Sequence, residues 1–372
     1  MPGSSRRPSE LRASKRTLLS LLVLAGGAAL AGAQTISEFL VPTTSSLPVD
    51  IATGPDGNLW FTESYLGKNI GRITPSGVIT EFPAGSAQGA IAAGPDGALW
   101  FTPVSRITTA GVVTSFPGVA GTDITAGPDG GLWVARTNRI ARFLPSDPNT
   151  AVEYPTVLPV SNIFEIKAGP DGNIWFIEND HASNSARIAR IDLTKLNGCG
   201  ANPALCITEF AVPGNETAAG STLASGPDGA LWFINGPGGK VGRITTSGVI
   251  TQFDVPASLY GGGSITGGPD GALWYTSTNK IGRITTSGVV TEIDTPSQYN
   301  SGKITAGPDG NIWFLEPQAN KIGRVNLTGA PAPTPTPTGP PGPTPTPQPR
   351  VPRGHVTPVA APTPKTNLPG RP

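Results

Sequence analysis

The feature that most constrains the fold is a ten-residue unit that returns seven times along the chain. It begins with Gly-Pro-Asp-Gly and places a Trp six residues after the first Gly, and its first copy is GPDGNLWFTE, from Gly54 to Glu63. Successive copies start 40, 33, 42, 57, 42 and 39 residues apart. Every Trp of the chain belongs to the unit, at Trp60, Trp100, Trp133, Trp175, Trp232, Trp274 and Trp313. A period near 40 predicts a repeat architecture.

The unit has a local physical logic. Pro fixes φ near −65° at the second turn position, Asp bonds back to the turn backbone, and the second Gly takes a positive φ before the next strand. The run that follows, such as NLWFTE in the first copy, is short, aromatic and β-prone. Each unit therefore predicts a tight turn that leads into a buried strand.

Around this unit the repeat divides into four strands. In the first repeat, strand A covers residues 50–53, strand B carries the Trp, strand C covers residues 70–74 (IGRIT) and strand D covers residues 78–82 (VITEF). Seven repeats of four antiparallel strands predict an all-β fold, a seven-bladed β-propeller.

The two ends of the repeat region predict how the ring closes. Residues 35–42, TISEFLVP, match the D strand of other repeats, such as ITEFAVP at 207–213, but no A, B or C strand precedes them. The seventh repeat has A, B and C strands and then runs into Pro-rich sequence without a D strand. An open ring would expose a strand edge. We therefore expect the N-terminal strand to complete the last blade.

The termini differ from the repeat region, which we place at residues 34–329. Residues 1–33 carry five basic residues, then an apolar run, then Ala31-Gly32-Ala33, which is typical of a secretory signal peptide. A retained anchor is the alternative, although the run from Leu18 to Leu30 is shorter than the ~20 residues that a membrane span needs. Residues 330–372 are Pro- and Thr-rich, which predicts a disordered or polyproline-like tail, either a cell-envelope spacer or a solvated end.

The charge distribution limits the kinds of partner that the chain can bind. Between residues 34 and 330 the chain holds 17 basic and 24 acidic residues, a net charge of −7, with no basic stripe. This argues against a nucleic acid or an anionic membrane surface as partner. We expect a secreted or cell-envelope protein that is monomeric and has no membrane span after signal cleavage.

The two cysteines of the chain, Cys199 and Cys206, lie between strands C and D of the fourth repeat, where the spacing between units rises to 57. In an exported protein this pattern predicts a local disulfide that fixes an extended hairpin turn. A metal site is the alternative, but two thiols without a nearby His supply half a site.

Strand C carries an Arg in every repeat. A residue that recurs in all seven blades is more consistent with a structural role than with a catalytic one, since a catalytic site is needed once. The Arg lies near the C-to-D turn, at the same end of the ring as GPDG, so we expect it to bond the turn Asp or turn carbonyls. The residues are Arg72, Arg106, Arg142, Arg190, Arg243, Arg283 and Arg324.

The opposite end of the ring, formed by the B-to-C and D-to-A loops, is where the repeats differ, as expected of a binding face. His181 lies there beside acidic residues and could act as a general base or metal ligand, or be an exposed loop histidine. The predicted binding-face residues are Asp50, Glu63, Tyr65, Glu165, Glu178, Tyr260, Tyr299 and Lys303.

These motifs resemble the streptogramin lyase family. The resemblance rests on GPDG, Leu/Ile-Trp-Phe-x-Glu, Lys-Ile-Gly-Arg-Ile-Thr and Ile-Thr-Glu-Phe, and it covers about residues 35–328. It implies a seven-bladed propeller and a magnesium-dependent lyase that opens a cyclic depsipeptide ester by elimination. It further implies that the base is a His two residues before the Ile of strand A in the last blades. Glu316 lies close to the place of a neighbouring acid in the family, which makes it a candidate metal ligand.

The sequence departs from the family at the base. The matching positions hold no His; they are Val49, Gly89, Thr122, Phe164, Ser221, Gly263 and Gly302. We therefore expect a secreted, non-catalytic binding or scaffold propeller without a cofactor. The alternatives are a magnesium-dependent C–O lyase for streptogramin B-type depsipeptides, with Glu316 and His181 as the candidate catalytic residues, and a purely structural cell-envelope role.

Overall fold

A computed structural model describes residues 34–327, apart from 86–88, 117, 119, 159–160, 181–184, 201, 215–221, 237–238, 257–258, 260–262 and 299–301. The predicted signal peptide and the predicted tail lie outside the described residues. The described chain forms seven four-stranded antiparallel sheets. Its only other regular elements are three 3-10 turns, Leu193–Lys195, Pro203–Leu205 and Pro317–Ala319. No helix in this part of the chain has the length and apolarity needed to cross a bilayer.

Each sheet is one blade, with its strands in the order A, B, C, D from the channel outward. The A strands are β2 (Pro48–Thr53), β6 (Ile91–Ala93), β10 (Asp123–Ala126), β14 (Ser161–Ala168), β18 (Leu223–Ser225), β22 (Ile265–Gly267) and β26 (Ile304–Ala306). The B strands are β3 (Leu59–Glu63), β7 (Leu99–Phe101), β11 (Leu132–Arg136), β15 (Ile174–Asp180), β19 (Leu231–Asn235), β23 (Leu273–Thr276) and β27 (Ile312–Glu316).

The outer half of each blade consists of strands C and D. The C strands are β4 (Asn69–Ile73), β8 (Ser105–Ile107), β12 (Arg139–Leu144), β16 (Ser185–Ile191), β20 (Lys240–Ile244), β24 (Lys280–Ile284) and β28 (Lys321–Asn326). The D strands are β5 (Ile79–Pro83), β9 (Val113–Ser115), β13 (Asp147–Pro155), β17 (Ile207–Ala211), β21 (Ile250–Asp254), β25 (Val290–Asp294) and β1 (Thr35–Leu40).

The ring closes as the sequence predicts. Strand β1 is the D strand of blade seven and pairs antiparallel with β28, from Thr35 opposite Asn326 to Leu40 opposite Lys321. The A strands of consecutive blades contact each other, and β26 contacts β2. The N-terminal strand and the last three strands of the described chain thus share the backbone hydrogen bonds of one sheet, and the predicted seven-bladed propeller is confirmed.

The repeated Trp is buried in every blade and is anchored to its own turn. All seven indole side chains are fully buried. In each blade the Trp Nε1–H donates to Oδ1 of the GPDG aspartate at 2.9 to 3.0 Å, as Trp60 does to Asp56. Most of the indoles also stack on an aromatic ring of strand D, as Trp60 does on Phe82. The turn and the core of the blade are therefore one unit.

The strand C arginines reach the turn Asp in all seven blades, as predicted, but in two ways. In blades two, three, five and six the Arg Nε lies 2.5 to 2.6 Å from the Asp Oδ2, as in Arg243 and Asp228. In blades one, four and seven the nearest contact is longer, with the Arg Nη1 at 3.7 to 4.0 Å from the Asp Oδ2. There the Arg donates instead to a carbonyl in the C-to-D turn of the next blade, as Arg324 does to Pro75 at 2.7 Å.

The residue after GPDG explains the two arrangements. Blades one, four and seven have Asn there, and its Nδ2 donates to the same Asp Oδ2 at 2.8 to 2.9 Å. The other four blades have Ala or Gly, which leaves that oxygen for the arginine. One residue per turn thus decides whether the arginine bonds within its own blade or to the next blade.

Cys199 and Cys206 form the predicted disulfide, with their Cα atoms 5.5 Å apart. Both are buried, and they join the core cluster that contains Trp133 and Tyr154 of blade three. The long C-to-D hairpin of blade four is therefore folded back against its neighbour.

Removing one turn aspartate tests its role in the blade. In Asp228→Ala, the buried Nε1–H of Trp232 loses its acceptor and Arg243 loses its ion pair, so we expect the free energy of unfolding to fall by about 2 to 3 kcal/mol. Chemical denaturation measures it. Asp254→Ala, which removes a carboxylate whose side chain is 89% exposed, is the control and should cost less than about 0.5 kcal/mol. Equal losses in the two variants would contradict the assigned role.

Candidate functional site

The A strands line a central channel that encloses about 370 Å³. At one end of it, each blade contributes the residue that precedes the buried Ile or Leu of strand A. This position is charged in four blades and uncharged in three. Its occupants, in blade order, are Asp50, Ala90, Asp123, Glu165, Thr222, Ser264 and Lys303.

Two of these carboxylates satisfy backbone groups at the inner edges of the blades. Asp50 Oδ2 accepts from the amide of Ile91 in the next blade at 2.8 Å, and Asp123 Oδ2 accepts from the amide of Ile166 at 2.7 Å. Each also accepts, through Oδ1, from the amide of the following residue in its own strand. An A strand has no partner strand on its channel side, so these bonds supply acceptors that the sheet lacks.

An ion pair crosses the channel. Glu165 of blade four accepts from Lys303 of blade seven through Oε2 at 2.6 Å, and it pairs with Lys167 through Oε1 at 2.9 Å. Blades four and seven are not neighbours in a ring of seven, so the Glu165–Lys303 contact spans the opening. Lys167 also lies 3.8 Å from Asp123. The channel therefore holds a connected network of acids and lysines.

The network sets the ionisation of its members. Burial opposes ionisation of Glu165, but Lys167 and Lys303 outweigh it and lower its pKa. Burial alone would lower the pKa of Lys303, yet Glu165 and Asp50 raise it. Burial raises the pKa of Asp123 to about 6, despite Lys167. At neutral pH the Glu165–Lys303 pair is ionised on both sides.

A second group of carboxyls lies within the blades rather than in the channel. In blades one, four and seven strand B carries a Glu three residues after the Trp, and strand D carries another Glu whose register places it on the same face. The three strand B side chains are fully buried. The pairs are Glu63 with Glu81, Glu178 with Glu209, and Glu316 with Glu38.

Each pair shifts the titration of its buried member. Burial, followed by repulsion from the strand D carboxylate, raises the pKa of Glu63 and of Glu178 to about 8. The same two causes raise the pKa of Glu316 to about 7. Two carboxylates held this close cannot both ionise without cost, so the folded state favours a proton on the buried one.

The described residues of the predicted binding face fall into three places. Asp50, Glu165 and Lys303 come together at the channel. Glu63 and Glu178 are buried in separate blades, each against its strand D partner, while the side chain of Tyr65 is 59% exposed. His181, Tyr260 and Tyr299 lie outside the described residues.

Sequence reasoning missed Lys167 and the strand D partners Glu38, Glu81 and Glu209. A signal was available, because aligning the repeats places a Glu three residues after the Trp in three blades and a Glu in the D-strand motif of each of the same blades. Their pairing depends on strand register, which a search for isolated motifs does not consider.

The two positions in the last blades at which the family resemblance places a His, Gly263 and Gly302, are closely packed. A Cβ added at Gly263 would lie 2.5 Å from the carbonyl oxygen of Thr276, and one at Gly302 would lie 3.2 Å from Cγ of Pro317. The carbonyl oxygen of each glycine accepts a hydrogen bond from a threonine hydroxyl, at Gly263 from Thr222 and at Gly302 from Thr276 at 2.9 Å. In the last two blades a histidine is absent, and at Gly263 the backbone would have to move to accept one. Ser221 lies outside the described residues.

The surroundings of Glu316 do not fit a magnesium ion. The Lys321 ammonium lies 2.6 Å from Oε2 of its partner Glu38, so a cation already occupies this place. In the described part of the chain, no three His, Cys, Asp or Glu side chains are arranged to hold a metal ion.

The sequence matches the model of the virginiamycin B lyase family over residues 28–196 and 201–347. No curated protein sequence matches it significantly. Among solved structures, a streptogramin B lyase has 30% identity and a TM-score of 0.65, with 79% of this chain and 97% of that chain covered. Virginiamycin B lyase from Staphylococcus aureus has 29% identity and a TM-score of 0.65, with 79% and 99% covered.

Two further solved structures are similar to this chain. A catalytically inactive His-to-Ala variant of the Staphylococcus aureus enzyme, with quinupristin, has the same identity, TM-score and coverage. The WD40 propeller domain of Doa1 has 10% identity and a TM-score of 0.58, with 78% of this chain and 95% of that chain covered, and is similar in fold alone.

The carboxyl pairs predict a pH-dependent stability. Because the folded state raises the pKa of Glu178 from 4.5 to about 8, its favourable contribution is complete below pH 4.5 and is lost as the pH rises through 8. The free energy of unfolding should therefore fall over this window. Glu178→Gln, which mimics the protonated acid, should remove about 1 kcal/mol per pH unit of that slope.

Denaturation curves at several pH values measure this slope. Asp294→Asn, which changes a carboxylate whose side chain is 69% exposed, is the control and should leave the slope unchanged. Glu63 and Glu316 should keep part of the slope in Glu178→Gln, since their pKa values are raised too. A slope as steep as that of the unaltered chain would show that Glu178 does not contribute to it.

The trans-channel pair predicts a second stability effect. Lys303→Met leaves buried Glu165 with Lys167 as its remaining cation, so we expect a loss of about 1 to 3 kcal/mol. Lys280→Met, which breaks an exposed pair with Asp294, is the matched control and should cost less than about 0.5 kcal/mol. Thermal and chemical unfolding of both variants make the comparison, and an equal cost would exclude a special role for the channel pair.

Proposed function

Because the chain belongs to the virginiamycin B lyase family, we propose that it is an exported member that has lost the lyase reaction and acts as a binding or scaffold propeller. The observation that carries the proposal is the absence of the base. At the strand A positions where the resemblance places a His, this chain has Gly263 and Gly302 in the last two blades.

The packing at these positions supports the proposal. At Gly263 a Cβ would approach the Thr276 carbonyl to 2.5 Å, closer than a non-bonded carbon and oxygen allow. The S. aureus structure with a His-to-Ala substitution is described as catalytically inactive, which fits a reaction that needs this residue type. Elimination requires a group that removes a proton from carbon while the ester C–O bond breaks. Asp50 and Asp123 are carboxylates of the described channel that could in principle remove this proton. Their oxygens, however, already accept hydrogen bonds from backbone amides.

A lyase is the second candidate, and two observations favour it. A streptogramin B lyase covers 79% of the chain at 30% identity, and the pKa of Glu316, raised to about 7 by burial and Glu38, is near the value that suits a general base at neutral pH. Against it, the Glu316 side chain is fully buried, and the cation beside its partner Glu38 is Lys321. For a lyase, the remaining candidate base is His181, which the sequence places in the B-to-C loop of blade four.

An activity assay separates the two functions. The protein is incubated with virginiamycin B and Mg²⁺, with the S. aureus lyase as positive control, and the mixture is separated by chromatography with mass detection. An elimination product is an isomer of the substrate, whereas hydrolysis adds one water. We expect intact cyclic substrate with this protein and the linear isomer with the control.

Linear isomer formed by this protein would overturn the non-catalytic proposal. In that case His181→Ala and Glu316→Gln identify the base, because the variant that lacks it should lose at least about a hundredfold in rate, a typical contribution of general-base catalysis. Binding of the intact depsipeptide, followed by calorimetry, would identify this antibiotic class as a ligand of the non-catalytic protein.

The export part of the proposal rests on the termini. Residues 1–33 have the three regions of a signal peptide, and residues 330–372 are Pro-rich. Fractionation of cells that produce the full chain, and the chain that ends at residue 329, tests both. We expect both forms outside the cytoplasm, with less of the shorter form in the cell-envelope fraction if the tail is a spacer.

A further inference from the structure

The three carboxyl pairs of blades one, four and seven differ in the residue that strand C places beside them. Opposite Glu316, strand C has Lys321, and opposite Glu178 it has Arg187. Next to Glu63 it has Asn69, one step beyond the Thr62–Ile70 pair of the same two strands. Blade one therefore has two acids and no cation at this position of strand C.

In blade seven, the cation site is fully formed. The Lys321 ammonium lies 2.6 Å from Glu38 Oε2 and 3.2 Å from Ser297 Oγ. Ser297, from the loop that leads into the blade, also donates its amide and hydroxyl to Glu38 Oε1 at 3.0 and 2.8 Å. The ammonium is thus bound by a carboxylate and a hydroxyl, next to the second carboxyl, Glu316.

Blade one repeats this arrangement with a neutral group in place of the ammonium. Thr43, from the loop that leads into the blade, donates its amide and hydroxyl to Glu81, both at 2.9 Å. Asn69 Nδ2 lies 3.2 Å from both Thr43 Oγ1 and Glu63 Oε2. The amide occupies the place of the ammonium but carries no charge.

The buried acid of blade one remains incompletely bonded. The Glu63 side chain is fully buried, and its Oε1 has no hydrogen-bond partner in the described chain. Lys68, the residue before Asn69, makes no ion pair with any described residue. In blades four and seven the strand D carboxylate pairs with a strand C cation, Glu209 with Arg187 and Glu38 with Lys321, whereas Glu81 of blade one has no such pair among the described residues. An ion from solution, displacing the proton of Glu63 as it binds, would supply this missing positive charge.

We propose that Glu63, Glu81, Thr43 and Asn69 form a binding site for a hard divalent cation in blade one. The two carboxylates, the hydroxyl and the amide oxygen of Asn69, after rotation of its side chain by half a turn, supply the oxygen ligands that Ca²⁺ takes in irregular geometry. Glu81, Thr43 and Asn69 are each partly exposed, which gives an ion access from solvent. The site lies toward the outer strands of the blade, away from the channel.

Calcium titration of the chelator-treated full chain by calorimetry tests the proposal, with Mg²⁺ in a parallel titration. We expect one Ca²⁺ per chain and an increase in melting temperature that grows with Ca²⁺ concentration. Glu63→Gln should weaken binding at least about tenfold, because one charged ligand is lost. Glu178→Gln, the same change in blade four where Arg187 supplies the cation, is the matched control and should bind as the unaltered chain does.

The decisive variant is Asn69→Lys, which gives blade one the arrangement of blade seven. It should abolish Ca²⁺ binding and, without Ca²⁺, raise the melting temperature toward that of the Ca²⁺-bound unaltered protein. A folded chain that binds neither Ca²⁺ nor Mg²⁺ would overturn the proposal, as would binding that survives in Asn69→Lys. Because Asn69→Lys should stabilise the fold, a failure of Glu63→Gln to fold does not prevent the test.

Discussion

The hydrogen bond from Trp Nε1 to the turn aspartate joins the two parts of every blade, and the other contacts are arranged around it. The indole is fully buried between blades, where an unsatisfied N–H would be costly. The aspartate that satisfies it is held in place by the GPDG turn, which also leads the chain into strand B. In each blade the same aspartate therefore accepts the hydrogen bond of the single polar atom of a large, buried aromatic residue. The aspartate then has one oxygen left, and its use differs between blades.

That second oxygen connects local sequence to the assembly of the ring. Where Asn follows the turn, the oxygen is taken by the Asn amide, and the strand C arginine bonds the next blade. Where Ala or Gly follows, the arginine stays within its own blade. Blade seven bonds blade one in this way through Arg324, at the junction that β1 and β28 also close. The closure is therefore supported by side chains as well as by the shared sheet.

The acids and lysines of the chain serve two different environments. In the channel, Glu165 and Lys303 bridge opposite blades, and Asp50 and Asp123 accept amides at the unpaired inner edges of the blades. Within the blades, buried glutamates face strand D carboxylates, and the cation beside them changes from Arg187 and Lys321 to none in blade one. The propeller does not depend on a His at the strand A positions, so a member of a lyase family can keep the fold without the proton abstraction. The same independence allows a structural ion site far from the channel.

The sequence by itself determined the blade count, the four strands per blade, the N-terminal closure, the disulfide and the arginine-to-turn contacts. These follow from signals with short range or a fixed period: GPDG and Trp60 lie within one turn and strand, and Cys199 and Cys206 lie seven residues apart. The absence of a His at Gly263 and Gly302 was also readable from the repeat. Only the tertiary structure decided that Glu165 meets Lys303 across the ring, 138 residues away along the chain. It also placed Glu63 against Glu81 inside a blade rather than on a binding face. Such contacts depend on strand register and on which blades the closed ring sets opposite each other, and no local pattern encodes either one.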